Sequence, residues 1–247
     1  MKSKFALSGN ALKLIAAALM LVDHIGLFFF PSALWLRAIG RLSFPIFAFF
    51  IAEGCRHTRN RLRYFLTMAI FAAGCQIVYG IFAKSTDMSV FVTFTVSVLF
   101  TYTLYGIKDL IFAEARTRVE ILRAFLLLLA SAAVTVTVLV LKIDLDYGLT
   151  GAILPLFAAI THPPKNAPQY WSKVDTPPVV LSLFAVGMII IAIDNLAIQY
   201  FSLLSLPLLA LYSGERGKLR MKYFFYVFYP AHLVILWCIF YIISTIQ

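Results

Sequence analysis

Runs of about 20 mostly apolar residues recur from one end of this chain to the other, and no other feature limits its fold as tightly. About 20 residues at 1.5 Å rise each match a hydrocarbon layer about 30 Å thick. Nine runs stand out, at 10–30, 37–55, 63–83, 90–107, 121–141, 147–161, 178–194, 196–212 and 223–245. The chain is 62% hydrophobic and 13% charged, against about 45–50% and about 25% in soluble domains. The fold class is therefore all-α, a polytopic integral membrane helical bundle of about nine transmembrane helices. Residues 1–247 are read as a single transmembrane domain, with no length left for a soluble one. The first run carries Asp23 and His24 and lacks a small-residue cleavage site, so it reads as a retained span and not as a signal peptide.

The net charge of +10 would suit a nucleic-acid partner, but the basic residues sit in short loops between runs. They read as topology signals, and no nucleic acid is expected. With the N-terminus in the cytoplasm, 17 of the 21 basic residues fall on the inner side. Arg37, Lys84 and Lys142 are left outside, and Arg41 falls inside the second span. The Pro-rich stretch His162–Pro178 reads as a cytoplasmic loop that is not helical throughout. Asp194 and Asn195 mark a tight hairpin between the seventh and eighth spans.

A charge at the centre of a spanning helix costs about 2.5–3.5 kcal/mol, which singles out Asp23 and His24. On this topology His24 lies about 21 Å into the layer. Arg37 and Arg41, four apart, share a helix face at the outer start of the second span. Asp144, Asp146 and Tyr147 open the sixth span on the same side. Arginines beside carboxylates and an imidazole suit a reaction chamber, and they equally suit an ion-pair network that fixes helix order. His232, in the last span after Tyr229 and Pro230, is placed to line the same cavity as His24 or to bond a neighbouring helix. Pro230 should kink that span and free a carbonyl.

At the inner face Glu53 and His57 are four apart and should meet. Arg56, Arg59, Arg61 and Arg63 crowd the run GCRHTRNRLR. Four guanidiniums can hold phosphates by forked hydrogen bonds or simply anchor the chain on anionic membrane lipid. A second inner basic group, with Arg216 and Lys218 in GERGKLRMK, could join them. Cys55, Cys75 and Cys238 have no metal-ligand spacing, so no metal is expected. Phosphate-binding glycine loops, G-x-S-x-G and H-E-x-x-H are absent.

Five segments together resemble the TraX family, named for the F-pilin acetylase of conjugation systems. They are LKLIAAALMLVDHIG (12–26), LRAIGRLSFPIFAFFIAEGCRHTRNR (36–61), DYGLTGAIL (146–154), LYSGERG (211–217) and KYFFYVFYPAHL (222–233). The third to fifth spans and the loop 162–178 match least. The chain is similar, more distantly, to membrane acyltransferases of the acyltransferase-3 and heparan-glucosaminide acetyltransferase type. The resemblance implies a multi-pass acetyltransferase of the bacterial cytoplasmic (inner) membrane, with acetyl-coenzyme A as donor. It implies an acceptor amine on a pilin-like protein, or a hydroxyl of a cell-surface glycan.

On that footing the expected catalytic residues are His24 as general base, Asp23 as its orienting group, and Arg37 or Arg41 at the oxyanion. His232, Asp146 and Tyr147 complete the set. Glu53, Arg56, His57, Arg59, Arg61, Arg63, Arg216 and Lys218 are expected to hold the donor. Two other classes remain open. Intramembrane His, Asp and Arg also mark a proton-coupled transporter or channel for a polar solute, although repeated halves are not evident here. The third class is a structural subunit of a secretion complex.

Overall fold

The computed structural model describes residues 6–83, 88–194, 197–218 and 221–246. Lys2, Lys4, Lys84, Asn195 and Arg220, used in the topology above, lie outside them. The described residues are helical throughout their long runs, with only two isolated bridges, Leu7 to Tyr212 and Met88 to Leu145. The helices are α1 (Gly9–Phe29), α2 (Leu34–Gly40), α3 (Ser43–His57), α4 (Arg61–Val78), α5 (Val90–Ile111), α6 (Arg118–Val140), α7 (Gly148–Ala159), α8 (Trp171–Val174), α9 (Pro177–Asp194), α10 (Ser205–Ala210) and α11 (Lys222–Ile246). A π-helical turn, Tyr79–Ala83, follows α4, and a 3₁₀ segment, Ala197–Leu204, leads into α10.

Seven helices among the described residues are long and apolar enough to cross a membrane, so this is a multi-pass membrane protein. The expected sixth and eighth spans are shorter, Gly148–Ala159 and Ala197–Ala210. Twelve α-helical residues extend about 18 Å, less than the hydrocarbon layer. The expected second span falls within one of these seven, Leu34–His57, in which a turn at Arg41 and Leu42 separates α2 from α3. Pro45, in the first turn of α3, is tolerated because no intrahelical acceptor awaits its missing N–H. The loop after α7 contains only the four-residue α8, as its prolines require.

The chain divides into two compact units, each described by itself. The first comprises Met1–Phe47, Gly74–Ser85 and Met188–Gln247. In it α1 packs against α2 and α11. The α1–α2 approach depends on small residues, the usual device where lipid removes any hydrophobic drive to associate. A Cβ on Gly26 would sit 2.8 Å from Leu36 Cβ, and one on Gly40 would overlap the Asp23 side chain and lie 2.7 Å from its Cα. The start of α1 is satisfied by backbone: Gly9 N–H donates to Glu215 O at 2.8 Å and Asn10 N–H to Arg216 O at 2.9 Å.

The second unit comprises Ala48–Ala73 and Thr86–Gly187, with α5 packed on α6 and α7. Val96 and Phe100 of α5 enclose Ala152 of α7. The small hydroxyls of α5 bond back to carbonyls four residues earlier, Ser97 to Thr93 at 3.0 Å and Thr101 to Ser97 at 2.8 Å. Thr103 crosses to Ser131 of α6 at 2.7 Å. Each arrangement leaves no polar hydrogen facing an apolar neighbour.

Gly40→Ala is expected to lower stability by about 1–3 kcal/mol through overpacking against Asp23. Gly74→Ala, where an added Cβ meets nothing within 4 Å, should gain about 0.5–1 kcal/mol of helix propensity. Thermal unfolding of the two variants in detergent separates close packing from propensity.

Candidate functional site

In the first unit, α1 holds Asp23 and His24 on neighbouring faces, about 100° apart. Asp23 Oδ2 accepts from Arg37 Nη1 at 2.8 Å and from Arg41 Nη2 at 3.4 Å. Arg37 also reaches the Asp23 carbonyl at 3.4 Å. Arg41 closes α2 with its N–H on Arg37 O at 3.0 Å, so the helical spacing of four brings the second guanidinium onto the same oxygen as the first. Two guanidiniums against one carboxylate leave one net positive charge in a nearly buried setting. Among the described residues no Asp23–His24 hydrogen bond forms.

His24 instead meets His232 of α11. His232 Nε2 lies 3.2 Å from His24 Nδ1, with the ring centroids 4.9 Å apart. Carbonyl acceptors settle the tautomers. His232 Nδ1 is 2.8 Å from Phe228 O, and His24 Nδ1 is 2.9 Å from Met20 O. Both Nδ1 atoms therefore carry hydrogen when the rings are neutral. His24 Nδ1–H is shared between Met20 O and the lone pair of His232 Nε2, which leaves His24 Nε2 as an open lone pair. α11 runs on through Pro230, and Phe228 stacks on His232 at 4.9 Å between centroids. The buried Tyr229 packs edge-on to His232, and its hydroxyl meets that of Tyr79, in the π-helical turn, at 3.0 Å.

Asp146 and Tyr147 belong to the second unit, where they form the turn that starts α7. Asp146 O accepts from Thr93 Oγ1 at 2.8 Å, and Asp146 N–H donates to Met88 O at 3.3 Å. Tyr147 is left-handed, with φ of 63°, and Gly148 follows at 64°, where a glycine is needed.

The cluster of Glu53, His57 and the arginine run also lies in the second unit. His57 Nε2 meets Glu53 Oε2 at 3.4 Å, as their spacing predicts. The other oxygen, Oε1, lies 3.5 Å from His162 Nε2, and Tyr105 Oη is 2.5 Å from His162 Nδ1. Arg56 spends its fork on Asp175, at 3.1 and 2.6 Å. Arg61 stands 4.0 Å from Asp109 and lies over the rings of Tyr102 and Tyr105, 5.6 and 5.5 Å from their centroids. Arg59 and Arg63 are exposed and form no ion pair among the described residues. Arg216 and Lys218 are exposed in the first unit.

The segment after α7 is clasped from α5. Lys108 Nζ donates to the carbonyls of Ala159 at 3.3 Å, Ile160 at 2.9 Å and His162, filling the acceptors that a helix end leaves open. Trp171 Nε1 donates to Thr161 O at 2.6 Å, beneath the Lys108 ammonium. Burial pushes the His162 pKa below the usual imidazole range, with the Glu53 carboxylate opposing. His162, Tyr105, Asp175 and Lys108 were not singled out from the sequence. Only a histidine beside prolines hinted at the first, and nothing local pairs position 53 with 162.

Residues 8–240 match the family described as TraX protein. The chain is 28% identical over 249 residues to a probable fimbrial assembly protein FimC, serogroup H1, of Dichelobacter nodosus, covering 93% of this chain and 94% of that one. It is 46% identical over 41 residues, 17% of its length, to the uncharacterized protein RP591 of Rickettsia prowazekii (strain Madrid E), covering 16% of that protein. No solved structure matches.

Asp23→Asn should cost about 3–5 kcal/mol, since it removes the carboxylate that two guanidiniums share in a nearly buried site. Adding Arg37→Gln should recover part of that loss, as read by thermal unfolding in detergent. For His162, the unfolded imidazole, near 6.5, takes up a proton before the folded one. Stability is thus full above that pH and falls below it. Between pH 7.5 and 5.5 the fall in unfolding temperature should be smaller in His162→Gln than in the parent chain.

Proposed function

The chain belongs to the TraX family, and from that premise we propose that it is an acetyltransferase of a bacterial inner membrane. It moves an acetyl group from cytoplasmic acetyl-coenzyme A to the amine of a pilin-like protein or to a hydroxyl of a cell-surface glycan. The printed name of the Dichelobacter nodosus relative, a fimbrial assembly protein, supports a pilus setting. The observation that carries the reading is the contact between His24 and His232. It gives one imidazole an open nitrogen and backs the other nitrogen with two acceptors.

In this reading His24 Nε2 takes the proton of the attacking amine or hydroxyl as the new bond forms at the thioester carbonyl. The resulting imidazolium is stabilised through Nδ1–H by Met20 O and His232 Nε2. The net positive charge of Arg37, Arg41 and Asp23 stabilises the oxyanion. When the C–S bond breaks, its electron pair leaves with sulfur, which becomes the thiol after taking a proton. His232 and Asp23 are positioning residues. Arg59 and Arg63, whose guanidiniums are exposed, are the donor-phosphate contacts. Arg56 and Arg61 support that surface through Asp175 and the two tyrosine rings.

Membrane vesicles supplied with labelled acetyl-coenzyme A should place label on protein or glycan. His24→Gln, inserted at the parent level, should reduce transfer about 100-fold. Arg59→Ala with Arg63→Ala should raise the KM for acetyl-coenzyme A about tenfold and leave kcat nearly unchanged. Parent-level transfer by His24→Gln removes the base assignment. Solute flux without any labelled acceptor replaces the enzyme with a proton-coupled carrier.

A further inference from the structure

One line of close side-chain contacts, two ion pairs and a hydrogen bond, runs in the second unit from an exposed ring to a buried hydroxyl. His57 is 65% exposed at its side chain. Its Nε2 lies 3.4 Å from Glu53 Oε2, Glu53 Oε1 lies 3.5 Å from His162 Nε2, and His162 Nδ1 lies 2.5 Å from Tyr105 Oη. His162 is 3% and Tyr105 8% exposed. The polarity along this line is set by Glu53, which as a carboxylate only accepts. His162 therefore turns Nε2–H toward Glu53. That leaves a lone pair on its Nδ1, so Tyr105 donates its O–H there.

A structural clasp does not require this line. The segment after α7 is already held by Lys108 on three carbonyls, by Trp171 on Thr161 O, and by the Arg56–Asp175 fork. None of those bonds uses the His162 ring. The ring stands between Glu53 and the Tyr105 hydroxyl.

The geometry points to a proton relay, in which His57, Glu53, His162 and Tyr105 carry protons between water and the Tyr105 hydroxyl and make that phenol an acid–base site separate from the His24–His232 pair. Outward transfer balances as follows. The Tyr105 O–H proton moves to His162 Nδ1, and the His162 Nε2 proton moves to Glu53 Oε1. After a half-turn of the carboxyl, the proton passes to Nε2 of His57 in its Nδ1–H tautomer, and His57 Nδ1–H releases one to water. The phenolate left behind lies under the Arg61 guanidinium, 5.5 Å from the ring centroid. The reverse sequence restores the phenol. The charged and titratable groups around the line include Arg56 and Cys55 on α3, Tyr102 and Lys108 on α5, Arg61 on α4 and Asp175 after α8. The relay does not depend on the acetyl-transfer reading.

Hydroxyl exchange of tyrosine in mixed H2O and D2O, read by NMR of ¹³Cζ-labelled full-length chain in lipid nanodiscs, tests it. Tyr102 is the internal reference, since it is 5% exposed, three residues away on α5 and outside the line. The Tyr105 hydroxyl should exchange at least tenfold faster than that of Tyr102. His57→Gln, at an exposed position that tolerates change, should slow Tyr105 several-fold without altering Tyr102. Glu53→Gln should bring the two hydroxyls to similar rates. Tyr105 exchanging no faster than Tyr102, or unchanged by His57→Gln in a chain of parent-like unfolding temperature, overturns the relay.

Discussion

A carboxylate placed among apolar helices has to be answered by positive charge, and in the first unit Asp23 is answered twice. Arg37 and Arg41 converge on one of its oxygens, and that convergence depends on the packing around it. Gly40 lets α2 lie against the Asp23 backbone, and Arg41, with its N–H on Arg37 O at 3.0 Å, sets the second guanidinium one helical turn from the first. Without the glycine the helices would separate. The trio fixes the side of α1 that faces α2, and so fixes the direction in which the adjacent His24 points.

The same rule governs the second unit with different groups. Several polar groups drawn into the apolar interior are given partners of matching hydrogen-bond sense. Lys108 supplies donors to the carbonyls at the end of α7, and the hydroxyls of α5 return to their own helix or reach α6. Glu53 receives two imidazoles. Low dielectric makes an unanswered group costly. Satisfying each group then determines tautomers and directions, and these give the two histidine clusters their chemical character. His24 presents an open nitrogen because two neighbouring atoms, Met20 O and His232 Nε2, fix its other one.

Local sequence spacing foretold contacts within one helix and missed those between distant positions. Glu53 and His57 could be paired from an interval of four, because a helix repeats every 3.6 residues. The two arginines could be grouped for the same reason, and Arg41 N–H bonding to Arg37 O at 3.0 Å keeps that helical spacing. His162 could not be paired with Glu53, nor Asp175 with Arg56, since no interval in the sequence encodes where a loop of prolines returns. The arginine run was legible as a basic group. Which members were committed to Asp175 or to tyrosine rings was not, because pairing is decided by partners more than 40 positions away.

By itself the sequence determined the membrane environment and the all-helical class. Long apolar runs have no alternative in lipid, where each backbone polar group must be bonded within its own segment. It also carried the family motifs and the positions of the charges that lipid makes costly. Only the tertiary structure decided that the imidazole in the first helix faces the one in the last, 208 positions on. It decided likewise that Glu53 stands between two histidines. Such contacts arise from helices choosing neighbours, a choice governed by small residues, turns and charge pairing across the bundle, none of which has a period along the chain.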